Sequence, residues 1–185
     1  MSIKNVDELQ DMHLDVLKEI GNIGSGNAAS ALSTMLNCDT DISVPDVKLL
    51  DFGDAVNFLG GPENVAIGML VNLTGDISGM MLYVLQHSCA SKMTSTIFGT
   101  EIEDIANMND MERSFISEVG NIMSASYINA IASLTGLTID ISVPQMCVDM
   151  VGAILSVPAV QFAQIGNKVL FIDDRFVIGG CEVQS

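Results

Sequence analysis

Apolar and polar positions recur along the chain with two different periods, and the changes of period mark out the elements. From Leu17 through Ile20, Gly21, Gly24, Ala28, Ala31 and Met35, small and apolar residues fall on one helical stripe. The stripe returns at Ile116, Val119, Gly120, Met123, Tyr127, Ala130 and Leu134, with Thr135-Gly136 as its stop. After each helix the alternation tightens, so Thr40 to Val44 and Leu137 to Val143 are expected as strands stopped by the prolines that follow. Asn64 to Leu73 and Asp76 to Leu85, joined at Thr74-Gly75, predict a hairpin. Asp149 to Ser156 and Lys168 to Ile172, with Phe176 to Ile178, are expected as its counterparts in the second half. Helices appended to antiparallel strands make the expected class α+β rather than a doubly wound sheet.

The two helices are related. Glu19-Ile20-Gly21-Asn22-Ile23 is answered by Glu118-Val119-Gly120-Asn121-Ile122 at an offset of 99 residues, and Asp41-Ile42-Ser43-Val44-Pro45 recurs at the same offset as Asp140-Ile141-Ser142-Val143-Pro144. Two blocks sharing one offset imply duplication of a unit that ran from a helix into a strand. The expected architecture is an internally duplicated, pseudo-twofold unit of long helices packed on an antiparallel sheet. It forms one domain, 1–185, made of two related halves of about 1–100 and 101–185. The acidic stretch Glu101 to Asp104, with Asp110 and Glu112, is expected as a surface connection between them. The paired glycines 21 and 120 predict close approach of the helices to one another or to the sheet, because a helical glycine costs about 1 kcal/mol that packing must offset.

Composition narrows the partners. With 23 acidic against 7 basic side chains and a net charge of -16, the chain cannot build the cationic patch that nucleic acid or an anionic membrane surface requires. The mean hydropathy is +0.44, yet no stretch approaches the roughly 18 to 20 apolar residues of a spanning helix, so the apolar residues are expected in a core. Met1 to Gln10 lacks a cationic start and an apolar run, so no signal peptide is expected and the cytoplasm is the expected location. Cys38, Cys89, Cys147 and Cys181 form no C-x-x-C pair, and with His13 and His87 they give no zinc spacing. They are expected as reduced, mostly buried thiols, and no metal site is expected.

The candidate chemistry lies on the other helix face. Asp15, Glu19 and Asn22 occupy i, i+4 and i+7, within about 60° of one another, and Ser114, Glu118 and Asn121 do the same in the second helix. Small or modestly polar residues continue each face: Gly26, Ser30 and Ser33 in one, Ala125, Asn129 and Ala132 in the other. On a single helix such residues are ordinary surface. Duplication adds weight, because exposed positions have little packing reason to stay alike between diverged copies. The set is not a Ser-His-Asp constellation, and Gly21 to Gly26 is not a P-loop. A carboxamide can still hold an attacking water for hydrolysis at phosphorus, where orientation and charge stabilisation carry most of the catalysis.

The spacing of Asp or Ser, three residues, Glu, two residues, Asn, twenty-two residues and Pro occurs twice, as Asp15, Glu19, Asn22, Pro45 and as Ser114, Glu118, Asn121, Pro144. It resembles the signature of the CheC, CheX and FliY phosphatases of bacterial and archaeal chemotaxis. Two copies resemble the CheC branch rather than the single-motif CheX, and the length leaves no room for the additional domains of FliY. The resemblance implies hydrolysis of the aspartyl phosphate of the response regulator CheY. It implies that Glu19 and Glu118 dock on the receiver, through its active-site Lys, that Asn22 and Asn121 orient the attacking water, and that Asp15, Ser114, Pro45 and Pro144 support the motif. It implies no cofactor of the chain's own, the Mg²⁺ belonging to the receiver. It also implies a second partner, the receptor deamidase CheD, for which the run Val148-Asp149-Met150-Val151 offers a docking edge through Asp149. The stop at Ser185, soon after the last expected strand, departs from relatives with longer tails. The alternative function is a binding module that holds phosphorylated CheY without turnover, or an adaptor that regulates CheD. Because the duplication already supplies the pseudo-twofold of a homodimer, a monomer is expected.

Overall fold

Two long helices, α1 (Asp11–Leu36) and α4 (Asp110–Thr135), carry the two repeats at the same offset. The computed structural model describes residues 11–164 and 166–184. Met1 to Gln10 and Ser185, on which the expectations about a leader and a short tail rest, lie outside the described residues, as does the side chain of Pro45. Small residues build the buried stripe of α1, where Gly21, Gly24, Ser25, Ala28, Ala29, Leu32 and Leu36 are all buried. The helix stops where Asn37 turns left-handed, at φ 49°, a conformation that Asn tolerates. The same position after α4 is Gly136, at φ 72°.

The start of α4 explains part of the acidic connection. Asn109 caps the helix by accepting from the backbone N–H groups of Met111 and Glu112, and the Glu112 carboxylate accepts in return from the Asn109 N–H at 2.9 Å. Asp110 and Glu112 thus belong to the first helical turn, where the helix dipole favours negative charge. Glu101, Glu103 and Asp104 are exposed, but the connection between them and the helix is anchored by buried Ile102, Ile105 and Met108. It is also tied to α3 (His87–Phe98), whose Ser91 Oγ accepts from the Ile102 N–H at 3.1 Å.

Strands from the two repeats are exchanged between two antiparallel sheets. β1 (Thr40–Asp51), which follows α1, pairs with β6 (Lys168–Ile178) from beyond α4, and β6 carries β7 (Cys181–Gln184) on its other edge. β2 (Val65–Gly75) pairs with β3 (Gly79–Leu85) on one side. On its other side β2 takes β4 (Ile139–Ile141) and β5 (Gln145–Met150) end to end, so the strands after α4 lie in the sheet of the first repeat's hairpin. Neither repeat completes a sheet from its own strands.

The sheets are covered on both faces. Alternate residues of β3 and β6 point opposite ways: Met81, Tyr83, Ile172 and Phe176 join the core under α1 and α4. Leu82, Val84, Val169 and Phe171 join a second core under two further helices, α2 (Phe52–Phe58) and α5 (Val151–Gln161). This double burial accounts for the unbroken apolar runs of β2 and β3. Residues of β3 and of the first part of β6 line a cavity of about 480 Å³, apolar along Met81, Leu82 and Phe171, with Tyr83, Tyr127 and Asp174 also in its wall.

Several expectations change. β1 does not stop at Pro45 but runs on to Asp51, with the register shifting between Ser43 and Asp46, an irregularity that accommodates a residue with no N–H to donate. Pro144 does interrupt its strand, separating β4 from β5. There the Ser142 hydroxyl accepts from the Asn72 N–H at 3.0 Å and the Ser142 N–H donates to the Asn72 carbonyl, holding the break together. The strand expected over Asp149 to Ser156 holds only for Asp149 and Met150, the end of β5, because Val151 onward forms α5, while Lys168 to Ile178 is one continuous strand whose hairpin partner is β7. Of the cysteines only Cys89 is buried; Cys38 is half-buried, and Cys147 and Cys181 are exposed near strand edges. Among the described residues no helix is long and apolar enough to cross a membrane.

Candidate functional site

The outward faces of α1 and α4 present the matched residues to solvent. Asp15, Glu19 and Asn22 are exposed on α1; Ser114 and Glu118 are exposed on α4, with Asn121 half-buried. What sets these faces is the packing behind them. Gly21 lies on β1, where a methyl group at its Cβ position would meet the Val44 side chain at 3.4 Å, and Gly120 lies on β2 against Met69. The paired glycines therefore serve helix-to-sheet contact. Contact between the helices falls elsewhere, at Gly24 and Tyr127.

Within the second pair the Asn121 amide donates to the Glu118 carboxylate at 3.3 Å, so carboxylate and carboxamide point to one spot on the helix surface. Under each Asn the backbone is tied by a buried serine that the motif reading passed over. Ser25 Oγ donates to the Asn22 carbonyl at 3.1 Å, and Ser124 Oγ donates to the Gly120 carbonyl at 2.7 Å. The signal was present, since Ser25 and Ser124 are also identical across the 99-residue offset. Further along, the two faces continue through exposed Gly26 and Ser30 and through exposed Asn129. Ser33 leaves the strip: its hydroxyl accepts from the Thr40 N–H at 2.9 Å and donates to the Thr40 carbonyl, tying α1 to the start of β1. Pro45 lies within β1 and Pro144 in the break between β4 and β5, both on the segments that follow the helices rather than on the helix faces. Asp149 is exposed near the end of β5, where its carboxylate accepts from the Met150 N–H at 2.7 Å.

A second polar cluster lies half a helical turn round, on the buried side of α4. Tyr127 donates its hydroxyl hydrogen to Asp174 of β6, with Tyr83 close by, its ring centroid 6.2 Å from that of Tyr127. Burial pushes the Asp174 carboxyl up to about 7; the Tyr127 hydrogen bond pulls the other way and the neighbouring Asp173 charge adds to the rise. Burial, and then the charge of Asp174, raise both tyrosines above their ordinary value and push the Cys89 thiol up to about 12. Burial thus disfavours the charged form of each of these groups.

A duplicated helix-on-sheet module bearing one Glu–Asn pair on each long helix defines the class of protein. The fold is shared with the crystal structure of Thermotoga maritima FliY, at a TM-score of 0.77 and 24% identity, covering 96% of this chain and 89% of that one. Residues 12–49 and 111–147 match the CheC-like family, one segment on each repeat. The chain is 34% identical over 175 residues to a Bacillus subtilis protein described as CheY-P phosphatase CheC, covering 94% of this chain and 83% of that one. It is 31% identical to a Halobacterium salinarum protein described as putative CheY-P phosphatase CheC1, covering 72% of this chain and 67% of that one. The chain belongs to the CheC-like family.

Proposed function

We propose that the protein hydrolyses the aspartyl phosphate of phosphorylated CheY. The observation that carries this reading is the same Glu and Asn, at the same spacing, on the outward faces of both α1 and α4, with both Glu residues and Asn22 exposed and Asn121 half-buried. Its relatives described as CheY-P phosphatases support it. Glu19 or Glu118 pairs with a cationic group of the receiver, its active-site Lys, and so places Asn22 or Asn121 over the acyl phosphate. The carboxamide holds a water in line with the bond to be broken. Water oxygen bonds to phosphorus, the bond from phosphorus to the aspartyl oxygen breaks, the carboxylate leaves with its electron pair, and the water's protons depart with inorganic phosphate. Because a carboxylate is a good leaving group, orientation does the work that a strong base does elsewhere. A Mg²⁺ held by the receiver would neutralise charge on the phosphoryl oxygens, and this reading asks for no cofactor on the chain itself. Asp15 and Ser114, one turn ahead of each Glu, border the docking face, and a single chain carries both faces.

The same proposal includes the receptor deamidase CheD as a second partner, with Asp149 as its contact beside the exposed Met150. Loss of phosphate from phosphorylated CheY, followed with and without the protein, tests the main reading. Faster loss in its presence is expected. Binding with an unchanged phosphate lifetime would instead favour a module that only holds the phosphorylated receiver.

A further inference from the structure

The repeat preserves a residue that neither packing nor the Glu–Asn chemistry accounts for. Met12 and Met111 are identical across the 99-residue offset, and they are 66% and 64% exposed. Each stands at i relative to Asp15 or Ser114 at i+3, Glu19 or Glu118 at i+7, and Asn22 or Asn121 at i+10. At 100° per residue all four lie within about 80° of one another. The next position on the same side is apolar in both copies as well: Val16, 57% exposed, and Phe115, which packs edge-on to Phe98. Ala, Lys, Gln or Glu would serve an exposed helical position equally well, and the charged ones better in water. Kept in both copies, the exposed methionine gives each Glu–Asn face an apolar end beside its carboxylates.

The geometry fits one occupant. Ten residues of helix put each Met about 15 Å from its Asn, inside the roughly 800 Å² that one partner of a standard interface covers. A receiver seated so that its acyl phosphate reaches the Asn therefore extends over the Met. The flexible thioether side chain suits an irregular apolar hollow. We propose that Met12 and Met111 are the apolar anchors that seat the phosphorylated receiver on each face, and that the receiver presents an apolar hollow beside the cationic group that meets Glu19 or Glu118. This rests on the proposed function for the identity of the partner, but concerns binding rather than hydrolysis.

The test measures the dissociation constant for phosphorylated CheY, and phosphate loss from the same samples, for the parent protein, the Met12→Ser, Met111→Ser double variant and the Met12→Leu, Met111→Leu double variant. The Ser variant is expected to bind about tenfold more weakly while turnover at saturating receiver stays within about twofold, and the Leu variant to recover parent affinity. Parent affinity in the Ser variant, or failure of Leu to recover it, overturns the anchor. A parent protein that binds but does not speed phosphate loss overturns the phosphatase reading and leaves the affinity comparison to decide the anchor. A parent protein that does not bind phosphorylated CheY overturns both.

Discussion

Gly24 of α1 lies so close to Tyr127 of α4 that a methyl group at Gly24 would sit 3.0 Å from the Tyr127 α-carbon. Backbone cannot swing aside as a side-chain tip can, so the two long helices keep their spacing only while residue 24 has no side chain. Gly24→Ala is expected to destabilise the protein by about 1–3 kcal/mol, in spite of the better helix propensity of Ala. Gly21 faces a different neighbour: its added methyl would meet Val44 Cγ1 at 3.4 Å, an ordinary contact. Gly21→Ala is expected to be neutral or to stabilise by up to about 1 kcal/mol. Denaturant unfolding of the two variants checks the contrast, and equal responses would contradict it.

The Asp174 carboxyl, raised by burial to about 7, makes stability depend on pH in a defined direction. In the unfolded chain an Asp ionises near 3.9, so between about pH 4 and pH 7 the folded state holds a proton that the unfolded state has released. Stability from this group is fully present below that range, falls as pH rises through it, and is flat above. Asp174→Asn removes the titration while keeping an oxygen that can accept from Tyr127. Its stability relative to the parent is expected to improve steadily from pH 4 to pH 7 and then level off. Thermal unfolding of both proteins across this range reads the difference, and a parallel pair of curves would show that Asp174 is ionised in the fold throughout.

The exchange of strands bears on whether half of the chain can fold. Residues 1–100 retain β2 and β3 but lose β4 and β5 from one edge, and their β1 loses β6 altogether. Produced alone, this half is expected to show no cooperative thermal transition, and mixing it with residues 101–185 is expected to restore one. A sharp transition in residues 1–100 by themselves would show that the pairing of β1 with β6 is dispensable.

What could be read from the residues, and what could not, follows from the physics of each element. The long helices and the Glu–Asn faces were legible because a 3.6-residue stripe and a second copy at a fixed offset are both local signals. α5 was mistaken for a strand. Its buried residues Val151, Ile154, Leu155 and Pro158 do follow helical spacing, but Val157 and Val160 on the outer side are apolar too, so the period is erased, and Pro158 reads as a breaker. The exchange of strands was not legible, because an internal offset says which segments are alike and not which ones pair. The bond between Tyr127 and Asp174 joins residues 47 apart with no repeat partner to draw notice. Both prolines were legible as motif, and Pro144 does break its strand, but Pro45 was misread as a stop: it lies within a strand, at a register shift.

The central claim is that the paired asparagines turn a docked receiver into a hydrolysed one. Phosphate loss from phosphorylated CheY at saturating protein, compared between the parent and the Asn22→Ala, Asn121→Ala double variant, tests it most directly. The expected result is loss of the acceleration by a factor of about 100 or more, with binding of phosphorylated CheY retained through Glu19 and Glu118; each single substitution should leave the other face working. A double variant that binds and hydrolyses at the parent rate would contradict the account.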